Sequence, residues 1–225
     1  MNDDVEFWQT RYIAGKTPWD FNGVPSALKR WLASGHSPGC ALVPGCGSGY
    51  EVKAFHDARW DVIGIDYTPA AVSCAQRNLG VLGEKIVLAD FFTHDFAGRR
   101  FDVIYERTFL CSMPPAHWRA YVHRMRELLD EKGQLVGLFL FGDEDDPPPY
   151  PLTKQAQDAL FGEAFLLVAD ELVSDSLPLF VGRERWQIWE KKPALARDRG
   201  VTARSDLAEN ASPQSDEGII QLDSA

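Results

Sequence analysis

Short apolar runs alternate with amphipathic segments along most of the chain. The apolar runs predict strands at 40–43, 61–66, 85–88, 101–106, 133–140, 165–172 and 185–191. Hydrophobic residues at helical spacing predict helices over 26–34, 50–58, 69–79, 115–129 and 153–161. This alternation is typical of an α/β protein with a mostly parallel sheet covered by helices on both faces. We expect the last two strands to form an antiparallel hairpin at the edge of a seven-stranded sheet.

The composition supports one folded domain followed by a tail. The chain has 225 residues, of which 45% are hydrophobic, enough to bury a single substantial core. From Pro193 onward large apolar residues become rare and small polar residues dominate. We therefore predict a domain over residues 1–192 and a disordered tail over 193–225.

Three closely spaced glycines follow the first strand. Gly45, Gly47 and Gly49 can adopt backbone angles that a Cβ would forbid, and the helix predicted from Tyr50 would present its N-terminal amides to a ligand. A dinucleotide motif would need its third glycine at position 50, where Tyr50 stands. The pattern favours a nucleotide-like ligand, and the alternative is a glycine-rich turn without one.

Acidic residues end the next two predicted strands. Asp66 lies about 20 residues beyond the first glycine, where a carboxylate can accept hydrogen bonds from both ribose hydroxyls. Its alternative role is to cap the helix that begins near Pro69. Asp90 and Phe91 follow the third strand, and such a pair can bind the amine and the ring face of adenine. They could equally be a loop acid beside a core phenylalanine.

The order of these motifs resembles class I S-adenosylmethionine-dependent methyltransferases. Segments 7–12 (FWQTRY), 17–20 (TPWD), 43–47 (VPGCG) and 182–190 (GRERWQIWE) are similar to thiopurine S-methyltransferase-like proteins, near the halide/thiol methyltransferase branch. The resemblance extends from about residue 5 to residue 192. It implies a Rossmann-like class I methyltransferase fold and S-adenosylmethionine as cofactor, with Gly45, Gly47, Asp66, Asp90 and Phe91 among the cofactor-binding residues.

Aromatic residues before the first strand form a candidate lid. Trp8, Tyr12 and Trp19 could surround a sulfonium cation and exclude water through an aromatic wall. The resemblance implies that residues at these three positions contact the cofactor. The alternative is that they only attach the N-terminal segment to the sheet.

Arg107, which follows the fourth strand, is the candidate catalytic residue and a further cofactor-binding residue. Its guanidinium could hold the cofactor carboxylate or an anionic substrate. The alternative is an ion pair with Glu106 or a nearby acid. The position resembles the arginine of thiopurine methyltransferases, whereas the plant halide enzymes carry tyrosine there. We interpret His117 and Cys111 as structural, because direct methyl transfer needs no covalent enzyme intermediate.

The resemblance implies methyl transfer to a small-molecule nucleophile, and the absence of an obvious acid/base pair near the predicted site favours a thiol. Direct in-line displacement would suffice for such an acceptor. The alternatives are N- or O-methylation of an aromatic metabolite, or a cofactor-binding module without turnover. The proline-rich loop over 142–151, which carries four acids, is expected to cover the substrate pocket.

The net charge and the spacing of the cysteines argue against several kinds of binding partner. A net charge of −10 argues against a nucleic-acid binder, which normally has a basic surface. No stretch has membrane-spanning length and no signal sequence is recognisable, so we expect a cytoplasmic protein without membrane contacts. The four cysteines show no metal-binding spacing, which predicts reduced thiols and no metal site. No obligate protein partner is indicated.

Overall fold

The computed structural model describes residues 2–193. These residues belong to one compact unit, Met1–Pro193. The tail predicted to be disordered, residues 193–225, lies outside the described residues except for Pro193. Its disorder therefore stays a prediction.

Seven strands form one sheet in the order β3-β2-β1-β4-β5-β7-β6. The strands are β1 (Cys40–Pro44), β2 (Asp61–Asp66), β3 (Ile86–Leu88), β4 (Phe101–Arg107), β5 (Leu129–Leu140), β6 (Phe165–Leu172) and β7 (Glu184–Lys191). The pairs among β1 to β5 are parallel, and β7 is antiparallel to both β5 and β6. The predicted α/β class and the antiparallel edge hairpin are therefore confirmed.

Helices connect the strands and cover both faces of the sheet. They are α1 (Asn2–Ile13), α2 (Ser26–Ala33), α3 (Tyr50–Asp57), α4 (Pro69–Leu79), α5 (Trp118–Leu128) and α6 (Lys154–Phe161). Five match predicted segments, whereas α1 was not predicted. Short 3-10 turns precede β3 and follow β4.

The largest boundary difference concerns β5, which begins at Leu129 instead of residue 133. Leu129 pairs with Phe101 at the start of β4, and the register then shifts before the regular pairing of Val103 with Gln134. Residues 130–132 are polar and exposed, and they bulge out between the paired positions Leu129 and Gln134. The chain folds back on itself there, because a Cβ on Gly133 would lie 3.0 Å from Asp130 N. A hydrophobic pattern carries no signal for such a segment.

The core lies in two layers, one on each face of the sheet. Alternate residues of a strand point to opposite faces, so Leu42 of β1 packs with α5 and α6 whereas Ala41 and Val43 pack with α2 and α3. The largest buried side chains are aromatic, with Tyr121 in the first layer and Phe55 in the second.

The strand order determines where in the sheet a ligand-binding site is expected. From β1 the chain moves outward through β2 and β3 and then returns to β4 on the other side of β1. Open α/β sheets bind ligands outside the carboxyl ends of the strands at such a reversal. The glycine loop after β1, Asp66 at the end of β2 and Arg107 at the end of β4 all lie at this edge.

Among the helices of residues 2–193, none combines the length and the apolar character needed to cross a bilayer.

Candidate functional site

A cavity of about 400 Å³ opens at the carboxyl ends of β1, β2 and β4. This volume lies within the range of roughly 300–1,000 Å³ that is usual for small-molecule sites. Seven of the predicted site residues line it: Trp8, Tyr12, Trp19, Gly45, Gly47, Asp66 and Arg107.

Two glycines of the loop after β1 bring aromatic side chains against the backbone. Gly45 and Gly47 have φ angles of 58° and 50°, in the left-handed region that disfavours side chains. A Cβ on Gly45 would lie 2.5 Å from the Phe109 ring, and a Cβ on Gly47 would lie 2.6 Å from the Tyr12 hydroxyl. Any larger residue would therefore push aside one wall of the cavity. Gly49 instead packs against α4 and does not line the cavity.

Asp66 joins the glycine loop to the start of α4. Its Oδ2 accepts a hydrogen bond from Gly47 N at 3.1 Å, and its Oδ1 accepts one from Thr68 N at 2.9 Å. Burial raises the pKa of Asp66, while the bonds from Thr68 and Gly47 oppose that shift. The Thr68 side chain and the Tyr67 backbone also bond to this carboxylate, so its acceptor sites are largely used within the protein, although Asp66 lines the cavity. Thr68 and not Asp66 is the N-cap residue of α4, so the capping alternative is wrong, and Asp66 instead accepts from the amide of the N-cap residue. The ligand-binding role of Asp66 stays a prediction.

Two of the three predicted lid residues, Trp8 and Tyr12, lie on α1. Trp8 and Tyr12 are one helical turn apart, and both face Trp19, with ring centroids at 5.1 Å and 6.1 Å. Gln9 accepts a hydrogen bond from Ala70 N at 2.9 Å, which attaches α1 to the first turn of α4. The aromatic residues therefore pack on one another and also form a wall of the cavity.

The side chain of Arg107 is 9% exposed, lies beside the cavity and has several neighbours. Its Nη1 lies 3.8 Å from Glu51 Oε1, and its Nη2 donates to the Trp19 carbonyl at 3.3 Å. The guanidinium carbon lies 5.2 Å from the centre of the Phe21 ring. Burial raises the pKa of Glu51, and the charge of Arg107 opposes that rise. Arg107 Nε has no hydrogen-bond partner among the described residues.

Asp90 and Phe91 do not line this cavity. Asp90 Oδ1 accepts a hydrogen bond from Phe92 N at 2.8 Å within its own loop. Phe91 is 4% exposed and packs in the core, where its ring centre lies 5.3 Å from that of Phe109. Their proposed contact with adenine stays a prediction, and Phe91 contacts Phe109, which does line the cavity.

The loop after β5 contributes one side of the cavity. Glu144 and Asp146 line it, together with Pro148 and Pro149. Arg183 fixes the loop, because its Nη1 lies 3.4 Å from Glu144 Oε2. The covering role expected for this segment agrees with the position of these four residues.

Several cavity residues were not predicted from the sequence, above all Asp20, Ser48 and Glu51. Ser48 donates a short hydrogen bond to Asp20, which connects the glycine loop to the lid segment. Glu51, in the first turn of α3, is 8% exposed. Its position directly after the glycine loop was an available signal, since an acid in the first turn of a helix that faces the ligand lies close to the site.

Comparison with known proteins identifies relatives of the chain. The sequence matches the family model described as Thiopurine S-methyltransferase (TPMT) over residues 3–192. It is 30% identical over 194 residues to "Probable thiol methyltransferase 2" of Arabidopsis thaliana, covering 82% of this chain and 84% of that protein. It is 25% identical over 197 residues to "Thiopurine S-methyltransferase" of Vibrio atlanticus (strain LGP32), covering 78% of this chain and 90% of that protein.

Solved structures show the same fold. One is 1,6-didemethyltoxoflavin-N1-methyltransferase from Burkholderia thailandensis, with bound 1,6-didemethyltoxoflavin and S-adenosylhomocysteine. It superposes with a TM-score of 0.65 at 20% sequence identity, covering 84% of this chain and 87% of that chain. The Rossmann-like methyltransferase architecture is therefore confirmed.

Proposed function

The chain belongs to the thiopurine S-methyltransferase family, and from this premise we propose that it transfers a methyl group from S-adenosylmethionine to a small-molecule thiol. When bound, the cofactor supplies an electrophilic methyl group on a sulfonium sulfur. The observation that carries the proposal is that the glycine loop, Asp66 and the aromatic lid all line the same cavity. These are the groups that a nucleoside joined to a cationic sulfur requires.

The residues present fit this cofactor. Gly45 and Gly47 line the cavity, and a Cβ at either position would collide with Phe109 or Tyr12, so glycine is required there to keep these walls in place. Asp66 lines the cavity next to that backbone and accepts a hydrogen bond from Gly47 N. The buried Tyr105 hydroxyl and Arg107 Nε, both on residues that line the cavity, have no hydrogen-bond partner among the described residues, which suits a polar ligand.

The lining favours an acceptor that ionises without help from the protein. It contains no histidine, and His117 is exposed on the turn before α5. Cys111 lines the cavity, but burial raises the pKa of its thiol far above the ordinary value, so it is a poor nucleophile. A thiol acceptor is partly ionised in solution near neutral pH, and its thiolate is strongly nucleophilic. The chain then contributes orientation and exclusion of water.

The proposal also concerns location and partners. The four cysteines, Cys40, Cys46, Cys74 and Cys111, are free thiols, which supports a reducing, cytoplasmic setting. The net charge of −10 supports a small-molecule acceptor over a nucleic acid. We propose no membrane contact and no obligate protein partner.

A panel of thiols, amines and phenols tests the proposal, with methylation followed by mass spectrometry in the presence of S-adenosylmethionine. We expect products from thiols only. Methylated amines or phenols without methylated thiols would assign N- or O-methylation instead. S-adenosylhomocysteine should raise the melting temperature, because it binds the folded state selectively. A saturating concentration without any shift would contradict the cofactor assignment itself.

A further inference from the structure

Glu106 is the most completely buried acid beside the site, and it does not line the main cavity. It is 1% exposed and lies on β4 between Tyr105 and Arg107, whose side chains line the cavity on the opposite face of the sheet. Its carboxylate accepts three hydrogen bonds, from Phe109 N at 2.9 Å, Leu110 N at 3.0 Å and the Tyr121 hydroxyl at 2.7 Å.

These bonds hold the turn that leaves β4. Thr108 has a φ angle of 56°, a conformation that costs a β-branched residue roughly 1–3 kcal/mol and persists only where surrounding contacts impose it. Glu106 supplies such contacts, because its Oε1 accepts from the two backbone amides that follow Thr108. The Thr108 hydroxyl adds a bond of 2.7 Å to the Arg107 carbonyl.

The same turn carries cavity residues at both of its ends. Arg107 precedes Thr108, and Phe109 follows it with its ring against Gly45 of the glycine loop. A change in the turn would therefore move a charged group and an aromatic wall together. Through Tyr121 the turn is also anchored to α5, which is part of the core.

We propose that Glu106 is a positioning residue: its carboxylate fixes the turn of residues 107–110 and thereby places Arg107 and Phe109 at the cavity. This inference rests on the proposed function for its kinetic readout. Glu106 does not line the cavity, so it acts only through these two residues.

The surroundings of Glu106 make its charge sensitive to pH. Burial raises the pKa of Glu106 to about 7, although the bonds from Leu110, Tyr121 and Phe109 lower it. The titratable groups around it are Tyr121 on α5, Cys111 on the following turn, Tyr105 on the same strand and Tyr150 across a small internal cavity. Burial raises the pKa of the Tyr105, Tyr121 and Cys111 groups far above neutral, so none of these three titrates in that range. Burial also raises the pKa of Glu51, Asp66 and Glu184, so the variants of Glu106 and Tyr121 identify the group that titrates.

Protonation changes the hydrogen bonds in a defined way. An ionised carboxylate only accepts, whereas a protonated one carries a proton that must be donated. The proton on Oε2 would be donated to the Tyr121 oxygen and reverse that bond, and the two amide bonds at Oε1 would lose their charge assistance. The turn is then held more weakly, so acid pH should reduce activity through Glu106.

The test measures kcat/KM from about pH 6 to about pH 8, on either side of the pKa of Glu106. The acceptor is an aromatic thiol with electron-withdrawing groups, already ionised throughout that range, so its own titration does not contribute. We expect the wild-type protein to lose about fivefold in kcat/KM at the acidic end, since charge-assisted bonds are about twice as strong as neutral ones.

Three variants separate positioning from a general structural role. Glu106→Gln keeps the shape and donates to Tyr121, so its profile should be flat at the low, acidic level. Tyr121→Phe removes a bond that lowers the pKa of Glu106, so the inflexion should move to higher pH. Glu127→Gln changes an exposed acid of α5 and should keep the wild-type profile.

Binding of S-adenosylhomocysteine over the same pH range distinguishes the possible failures. If the wild-type protein does not bind it, the proposed function fails. If it binds but no thiol is methylated, its affinity becomes the readout for the same variants, because Phe109 contacts Gly45. An inflexion that persists unchanged in Glu106→Gln, or a wild-type profile without one, overturns the positioning role. Should Glu106→Gln not fold, an unshifted inflexion in Tyr121→Phe overturns it equally.

Discussion

Replacement of Asp66 by asparagine is the most direct perturbation of the candidate site. Both carboxylate oxygens of Asp66 accept backbone hydrogen bonds, from Gly47 N and from Thr68 N. Asparagine retains one oxygen and directs an NH₂ group toward the other amide. One bond is therefore lost, and two donors face each other in a buried position where Asp66 is 8% exposed.

The magnitude follows from these contacts. A hydrogen bond to a charged group contributes about 1.5–3 kcal/mol, and an unsatisfied buried amide costs about 1–3 kcal/mol. Removing a buried charge whose pKa is raised by desolvation offsets part of that loss. We expect the free energy of unfolding to fall by about 2 kcal/mol. Weaker ribose binding and a less ordered glycine loop should reduce the affinity for S-adenosylhomocysteine by about 10- to 100-fold.

Isothermal titration calorimetry measures the affinity, and chemical denaturation measures the stability of the same samples. Asp61→Asn is the matched control, because Asp61 begins the same strand but is exposed and pairs with Arg99 at 2.7 Å on the surface. That variant should change stability by less than about 1 kcal/mol and leave ligand affinity intact. A folded Asp66→Asn protein with wild-type affinity would remove Asp66 from the cofactor site.

Three further variants test the cavity walls and the attacking group. Gly47→Ala should weaken S-adenosylhomocysteine binding at least about tenfold, because the new methyl group meets the Tyr12 hydroxyl. Gly80→Ala is its control: Gly80 has a φ of 58° but no atom near its Cβ position, so this variant should lower only the stability. Trp19→Ala opens the aromatic wall and should reduce that affinity by about tenfold in calorimetry, and an unchanged value would make the lid purely structural. With an ordinary thiol above neutral pH, log kcat/KM should rise through the pKa of the free thiol and His117→Ala should leave the profile unchanged, whereas loss of an inflexion in that variant would indicate base-assisted transfer.

Helices and strands could be predicted from the sequence where their hydrophobic pattern is local and does not depend on distant contacts. The observed β2, β6 and α4 have the predicted bounds, and each is a short apolar or amphipathic segment whose pattern is visible in a local window. Helix α1 was missed because its docking depends on distant partners. Gln9 binds Ala70 N and Trp8 packs on Trp19, and neither contact is visible in a local window.

Those residues of the candidate site that directly follow or end a strand could be predicted from the sequence. The fold brings all carboxyl ends of β1, β2 and β4 to one edge, so Gly45, Asp66 and Arg107 meet there. The same argument extended to β3 predicts a ligand contact for Asp90, whose carboxylate here accepts from the amide of Phe92 in its own loop. The position of a side chain beyond a strand end depends on loop geometry, which spacing alone does not specify.

Arg107 illustrates how two alternatives derived from sequence can describe one residue. Its 3.8 Å separation from Glu51 is longer than the roughly 2.7–2.9 Å of a direct charge-assisted bond, so the pair is loose. A buried guanidinium still requires a nearby negative charge, and Glu51 provides it from the first turn of α3. Five N–H donors exceed what Glu51 and the Trp19 carbonyl can use, and Nε has no partner among the described residues. Glu51 therefore compensates the charge of Arg107 while Nε has no partner among the described residues, so the ion pair and the proposed binding role are compatible.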